Sequence, residues 1–165
     1  MSKNIITIKP SNSISSGHEL IIISRNPNYN PTNNQIESTL EVLAQEYPNC
    51  EITLEIYDLI EFIDQGQNFK SVLCNKCQKE LSIEFWQDKM SESYDHSHFE
   101  NMAFRTECCN LVTNLNDLIY EGDCGFGSFR IAINNAEPDV NKEEPLARLL
   151  LNTLGTDVKL FWKHI

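Results

Sequence analysis

Residues 34–57, NQIESTLEVLAQEYPNCEITLEIY, change hydrophobic period halfway along. In the first part Ile36, Leu40, Leu43 and Tyr47 recur at steps of three and four, which marks one face of an α-helix, and Pro48-Asn49 ends it. In the second part Ile52, Leu54 and Ile56 alternate with Glu51, Thr53 and Glu55. That alternation predicts a strand over 51–57 with one face in a core and one in water. Upstream, His18 to Ser24 is a compact apolar run suited to a buried strand, stopped by the turn-forming Arg25-Asn26-Pro27-Asn28-Tyr29-Asn30-Pro31. Together these segments make one β-α-β unit. Before them, Lys3 to Lys9 alternates weakly, as an edge strand or a frayed tail, and the polar stretch 11–17 reads as a loop.

The last forty or so residues repeat the plan. Phe129, Ile131 and Ile133 alternate with Arg130 and Ala132, and a polar turn follows through Pro138. Leu146, Leu149, Leu150 and Leu154 form a helical stripe beginning near Glu143, with Gly155 as its stop. Val158, Leu160 and Trp162 then alternate with Lys159 and Lys163 in a closing strand. Leu40, Leu43 and Tyr47 correspond in spacing to Ala147, Leu150 and Leu154. Two β-α-β halves, 1–68 and 124–165, predict an α+β fold, a ferredoxin-like sandwich with both helices on one face of a four-stranded sheet.

Between the halves, residues 69–123 differ in character and carry most of the cysteines. Cys74-Asn75-Lys76-Cys77 has the spacing with which a tight turn sets two thiolates on one edge of a metal tetrahedron. Cys108-Cys109 offers a second pair, adjacent rather than spaced by two, so both reach one ion only if the turn is kinked. If one of them does not, His96 or His98 is the alternative fourth ligand. Four thiolates leave no open coordination position, so the expected cofactor is one structural zinc on Cys74, Cys77, Cys108 and Cys109, with no catalytic residues assigned. A redox CxxC is the competing reading, but such motifs open a helix after a strand and need no second pair. Cys50 and Cys124 are expected to be buried thiols. Leu81 to Tyr94, with Phe85, Trp86 and Met90, is expected to become a helix packed beside the metal.

Charge narrows the function. With 13 basic and 24 acidic residues the chain carries a formal −11, which repels phosphate backbones and anionic lipids. In the insert Lys70, Lys76, Lys79, Lys89 and Arg105 are outnumbered by acids, so a nucleic-acid-binding ribbon is disfavoured. Gly122 to Gly127 lacks the lysine and hydroxyl residue of a phosphate-binding loop and reads as a flexible lead into the next strand. Asn116, Asp117, Tyr120 and Glu121 read as a turn with capping side chains. The apolar run Ile5, Ile6, Ile8 is too short and interrupted for a secretory signal, and no stretch approaches a membrane span, so a cytoplasmic location is expected.

Several motifs together resemble an uncharacterised family of small bacterial zinc-ribbon-containing proteins. They are Asn26-Pro27 with Tyr29 and Pro31-Thr32, Cys74-x-x-Cys77, Thr106-x-Cys108-Cys109 and Leu115-Asn116-Asp117-Leu118-x-Tyr120-Glu121. Gly125-Phe126-x-x-Phe129-x-Ile131-x-Ile133-x-Asn135 and Trp162-x-His164 complete the set. The chain departs from that pattern at Glu107 and Asn110, where proline and glycine would flank the cysteine pair, and at Gly122-Asp123. The resemblance implies the fold and the metal and no activity. The expected function is a non-enzymatic, zinc-stabilised acidic protein-binding module, such as an immunity protein or antitoxin facing a basic toxin, with neither nucleic acid nor membrane as partner. A small-molecule enzyme is the alternative, and a cleft joining Asp117 or Glu121 to His18, His96 or His164 would favour it.

Overall fold

A computed structural model of the chain describes residues 2–10, 12, 15–64 and 70–164. In chain order the elements are β1 (Ser2–Ile8), β2 (His18–Ser24), α1 (Asn33–Glu46), β3 (Glu51–Asp64), β4 (Ser71–Leu73) and α2 (Ile83–Ser97). There follow β5 (Ala103–Arg105), β6 (Val112–Asn114), a single 3-10 turn (Leu115–Asp117), β7 (Ile119–Glu121), β8 (Cys124–Asn134), α3 (Val140–Leu154) and β9 (Val158–His164). The loop expected over 11–17 and the boundary expected at 68/69 fall partly outside the described residues.

The result is an α+β sandwich with an inserted cysteine module. Its main sheet is open and five-stranded, in the order β1-β3-β8-β2-β9, with antiparallel pairs throughout. The fifth strand is β1, which pairs with β3 at the edge, so the weak alternation at the start of the chain resolves as strand. On one face Leu20, Ile22, Ile52, Leu54, Phe129, Ile131, Ile133 and Val158 meet Leu40 and Leu43 of α1 and Leu146, Leu150 and Leu154 of α3. Every one of these helix positions lies on the stripes visible in the sequence. The odd-numbered partners Ile21, Ile23 and Phe161, with Ala132 and Ile63, are buried on the other side, as alternate side chains on a strand must be.

Each helix is fixed at its ends by its own sequence. Thr32 and Gln35 form a capping box at the start of α1, and Ser82 caps α2 by accepting from the Phe85 amide at 3.2 Å. Helix α3 starts a turn earlier than its leucine stripe suggests, because Asp139 caps it through the Asn141 amide at 3.0 Å. Pro145 sits inside it and gives up one backbone bond, which masks the first turn in the sequence. Gly155 ends it at φ 69°, in the left-handed region where glycine carries no Cβ penalty.

Two strands are longer than their periodicity indicates. At the β3–β8 pairing Ile56 faces Phe129 and Glu61 faces Gly127, so four residues of β3 (57–60) oppose Ser128 alone. Ile60 keeps the even register of Ile52, Leu54 and Ile56, whereas Phe126 departs from the odd register of Phe129, Ile131 and Ile133, and both face a second core with Val72, Leu81, Trp86, Phe99, Met102, Leu115 and Leu118. The stretch expected as a flexible lead is in fact strand: β8 starts at Cys124, and Gly125 and Gly127 are buried within it. A Cβ at Gly125 would lie 2.5 Å from Ile23 Cδ1, so glycine is there for close approach rather than for freedom.

Burial has a consequence at high pH. Desolvation, the largest cause in each case, pushes Tyr47 and Tyr57 up from 10.0 to about 12 and Cys124 up from 9.0 to about 12. Raised values mean that the unfolded chain loses these protons first. Stability from these groups is therefore complete below about pH 9 and drains away as the pH climbs towards 12. Urea midpoints should stay flat to the lower limit and then fall, and in a Tyr94→Phe background, which removes the exposed tyrosine, tyrosinate absorbance should rise in step with unfolding; tyrosinate from Tyr47 or Tyr57 in fully folded protein near the ordinary tyrosine pKa would contradict this.

Candidate metal centre

Cys74 follows β4, which is held by antiparallel pairing with β7, and the chain turns back at once. The Gln78 amide donates to the Cys74 carbonyl at 2.8 Å and the Cys74 amide to the Lys79 carbonyl at 2.9 Å. Gln78 takes φ 64° to close this turn. The second pair rides on the β5–β6 hairpin, where Asn110 takes φ 58°. Asparagine tolerates that conformation better than most residues, so the kink survives the lack of glycine. It also solves the problem of adjacent cysteines, because both sulfurs reach the same point.

The four Sγ atoms of Cys74, Cys77, Cys108 and Cys109 all lie within 4.8 Å of one another. Cys74 and Cys109 are 3.8 Å apart and Cys77 and Cys108 3.2 Å. Four sulfurs at about 2.3 Å from a zinc ion are separated by about 3.8 Å along each tetrahedral edge. A disulfide would need about 2.05 Å. The separations fit a shared ion, and four soft thiolates in a tetrahedron are a donor set consistent with a structural zinc site. Cys74 is fully buried and the other three are half-buried.

Polar groups already favour thiolate here. Burial alone would raise Cys74, but the amides of Cys77 and Lys76 and the thiols of Cys108 and Cys109 donate to it and bring it down to about 6. The Lys76 amide lies 3.3 Å from that sulfur. Cys108 is pushed up to about 12 by burial and by its hydrogen bond with Cys77.

The histidines go elsewhere. His98 takes the left-handed cap of α2, its Nε2 3.4 Å from Glu61 Oε1, and His96 lines a separate cleft between α2 and β5. His18 and His164 pair with each other across β2 and β9, ring centroids 5.1 Å apart. Among the described residues, the cleft of about 260 Å³ that holds Arg25, Asn116, Asp117, Tyr120 and Lys159 is lined by none of these histidines. The expected turn at Asn116 and Asp117 is observed, capped by Asn114, and the Tyr120 hydroxyl donates to the Leu115 carbonyl at 2.7 Å. Cys50 and Cys124 are buried away from the cluster.

Two threonines support the ligands, of which Thr106 enters the sequence analysis only as part of the motif Thr106-x-Cys108-Cys109 and Thr113 does not enter it at all. Thr106, 2% exposed, places its hydroxyl 3.1 Å from Cys109 Sγ. Thr113, also buried, donates to Asn75 Oδ1 at 2.5 Å and ties the second hairpin to the first turn. Neither has a sequence signal beyond lying near cysteines. Among the described residues no helix is long and apolar enough to cross a membrane. Compared with protein-family models, curated proteins and solved structures, the chain shows no match, so the metal-binding reading stands on the geometry of the four sulfurs alone.

Proposed function

We propose that the protein is a non-enzymatic binding module, kept in shape by one structural zinc ion, whose partner is a basic protein. The observation that supports the reading is the donor set: four sulfurs around one ion would leave no position on that metal for a substrate or an activated water. The order β3-β8-β2-β9, antiparallel throughout with α1 and α3 on one face, supports a ferredoxin-like description of the scaffold. The excess of 24 acidic over 13 basic residues supports a basic partner, because opposite fields hasten encounter and reject wrong partners. An immunity protein or antitoxin acting on a basic toxin in the cytoplasm has these properties.

The test is capture from the native host with the zinc-loaded protein, followed by association kinetics with the purified partner. A basic protein is expected, with an on-rate that falls steeply as salt shortens the Debye length below about 10 Å. Recovery of no protein, or of one whose association ignores salt, would overturn the reading.

A further inference from the structure

The two metal-binding turns correspond residue for residue. The first runs from Cys74 to Lys79 and is closed outside by the pair Leu73 and Glu80. The second runs from Thr106 to Leu111 and is closed by the pair Arg105 and Val112. Both turns are six residues long on this count. In the first, the amide of Cys74 donates to the Lys79 carbonyl at 2.9 Å and that of Gln78 to the Cys74 carbonyl at 2.8 Å. In the second, the amide of Thr106 donates to the Leu111 carbonyl at 3.1 Å and that of Asn110 to the Thr106 carbonyl at 3.0 Å. The left-handed residue is the fifth of each, Gln78 at 64° and Asn110 at 58°. Cys109 then matches Cys77, Cys108 matches Lys76, and Thr106 matches Cys74.

The geometry points to Thr106 as the first-ligand position of a second zinc knuckle, from which the ligand role has moved two residues along to Cys108. This inference rests on the four-sulfur zinc reading. It explains why the cysteines are adjacent: only Cys109 stands at a regular knuckle position, and Cys108 supplies the thiolate that Thr106 does not. A hydroxyl competes poorly with thiolate for zinc, so Thr106 remains as a hydrogen-bond donor instead. Once Cys109 is a thiolate it has no proton to give, and the 3.1 Å contact must run from the Thr106 hydroxyl to the sulfur. Thr106 is therefore a positioning residue that orients Cys109 and tempers its charge.

The correspondence predicts a swap. Cobalt(II) substituted into the full-length protein reports bound thiolates through its sulfur-to-metal charge-transfer intensity, and competition with a chelator reports zinc affinity. Cys108→Ser should show three thiolates. Thr106→Cys with Cys108→Ser together should recover the four-thiolate spectrum and return zinc affinity to within about 10-fold of wild type, the lower limit for changes in supporting groups. Thr106→Val should weaken zinc binding by about 10- to 100-fold and Thr106→Ser should restore it. Thr106→Cys alone, which keeps all four native thiolates, is the folding control and should bind one metal ion. If that control binds metal while the swap stays at three thiolates, the correspondence is wrong. Full zinc affinity in Thr106→Val would remove the donor role. Wild-type protein showing no four-thiolate spectrum would instead sink the zinc reading itself.

Discussion

Cys74→Ser is expected to abolish binding of the proposed zinc ion and to unfold the inserted module while the five-stranded sheet persists. Cys74 is the one ligand with no solvent exposure, packed among Val72, Leu81, Trp86 and Leu115. Its loss removes a ligand and leaves a polar hydroxyl in an apolar site, which adds a desolvation cost to the lost coordination. Structural zinc contributes on the order of 10 kcal/mol in small zinc peptides, against a net stability of about 5 to 15 kcal/mol for a whole domain. Against those magnitudes, the module cannot remain ordered as before. The two tryptophans make the experiment clean, since Trp86 lies in the insert's core and Trp162 packs against the core of the sheet. In variants keeping one or the other, Cys74→Ser or a strong chelator should abolish or sharply lower the Trp86 transition in urea. The Trp162 transition should move little. A Trp86 transition unchanged by both treatments would show that the sulfur cluster carries no structural ion.

The insert has a larger core than its sequence advertises. Read as a string, 69–123 offers short, mixed-charge stretches in which cysteines are the obvious unifying feature. The missing apolar partners are Ile60 and Phe126, which belong to the two strands of the sheet. They were illegible for a physical reason. On β3 the exposed Asp58 and Leu59 interrupt the run Ile52, Leu54, Ile56 before Ile60, and on β8, where Ser128 alone faces four residues, the inward positions change from odd (Phe129, Ile131, Ile133) to even (Phe126). The glycines at 125 and 127 suggest a loop until the approach of Ile23 to Gly125 is seen. By contrast α1 and the alternating part of β3 are visible because each turns one face to one core and keeps a single period, and β2 is visible because both of its faces are buried, which leaves a continuous apolar run. The ligands divide in the same way. Cys74 and Cys77 announce themselves by spacing, whereas Cys108 and Cys109 converge only because Asn110 accepts a left-handed backbone.

That bulged strand pair predicts an unequal response to two large cavities. Phe129 is fully buried in the sheet core, edge-on to Tyr29 with centroids 5.5 Å apart, and Phe126 is 1% exposed in the insert's core, 5.1 Å from both Phe62 and Phe99. Truncation of a buried phenylalanine to alanine costs about 3 to 5 kcal/mol through lost transfer energy and the cavity left behind. The two residues lie three apart on one strand, yet they report on different bodies. Phe129→Ala should lower the stability read by Trp162 by roughly that amount, and the Trp86 transition should fall with it, because β4 to β7 are mounted on the ends of β3 and β8. Phe126→Ala should cost as much at Trp86 and leave Trp162 within about 0.5 kcal/mol, the scatter of independent sites. The asymmetry follows from connectivity: the sheet closes its own core on two helices without the insert, whereas the insert borrows Ile60 and Phe126 from the sheet. Equal shifts at both tryptophans in both variants would mean that the β3–β8 pair welds the two cores into one cooperative unit, with the proposed metal ion bracing the whole chain rather than its middle.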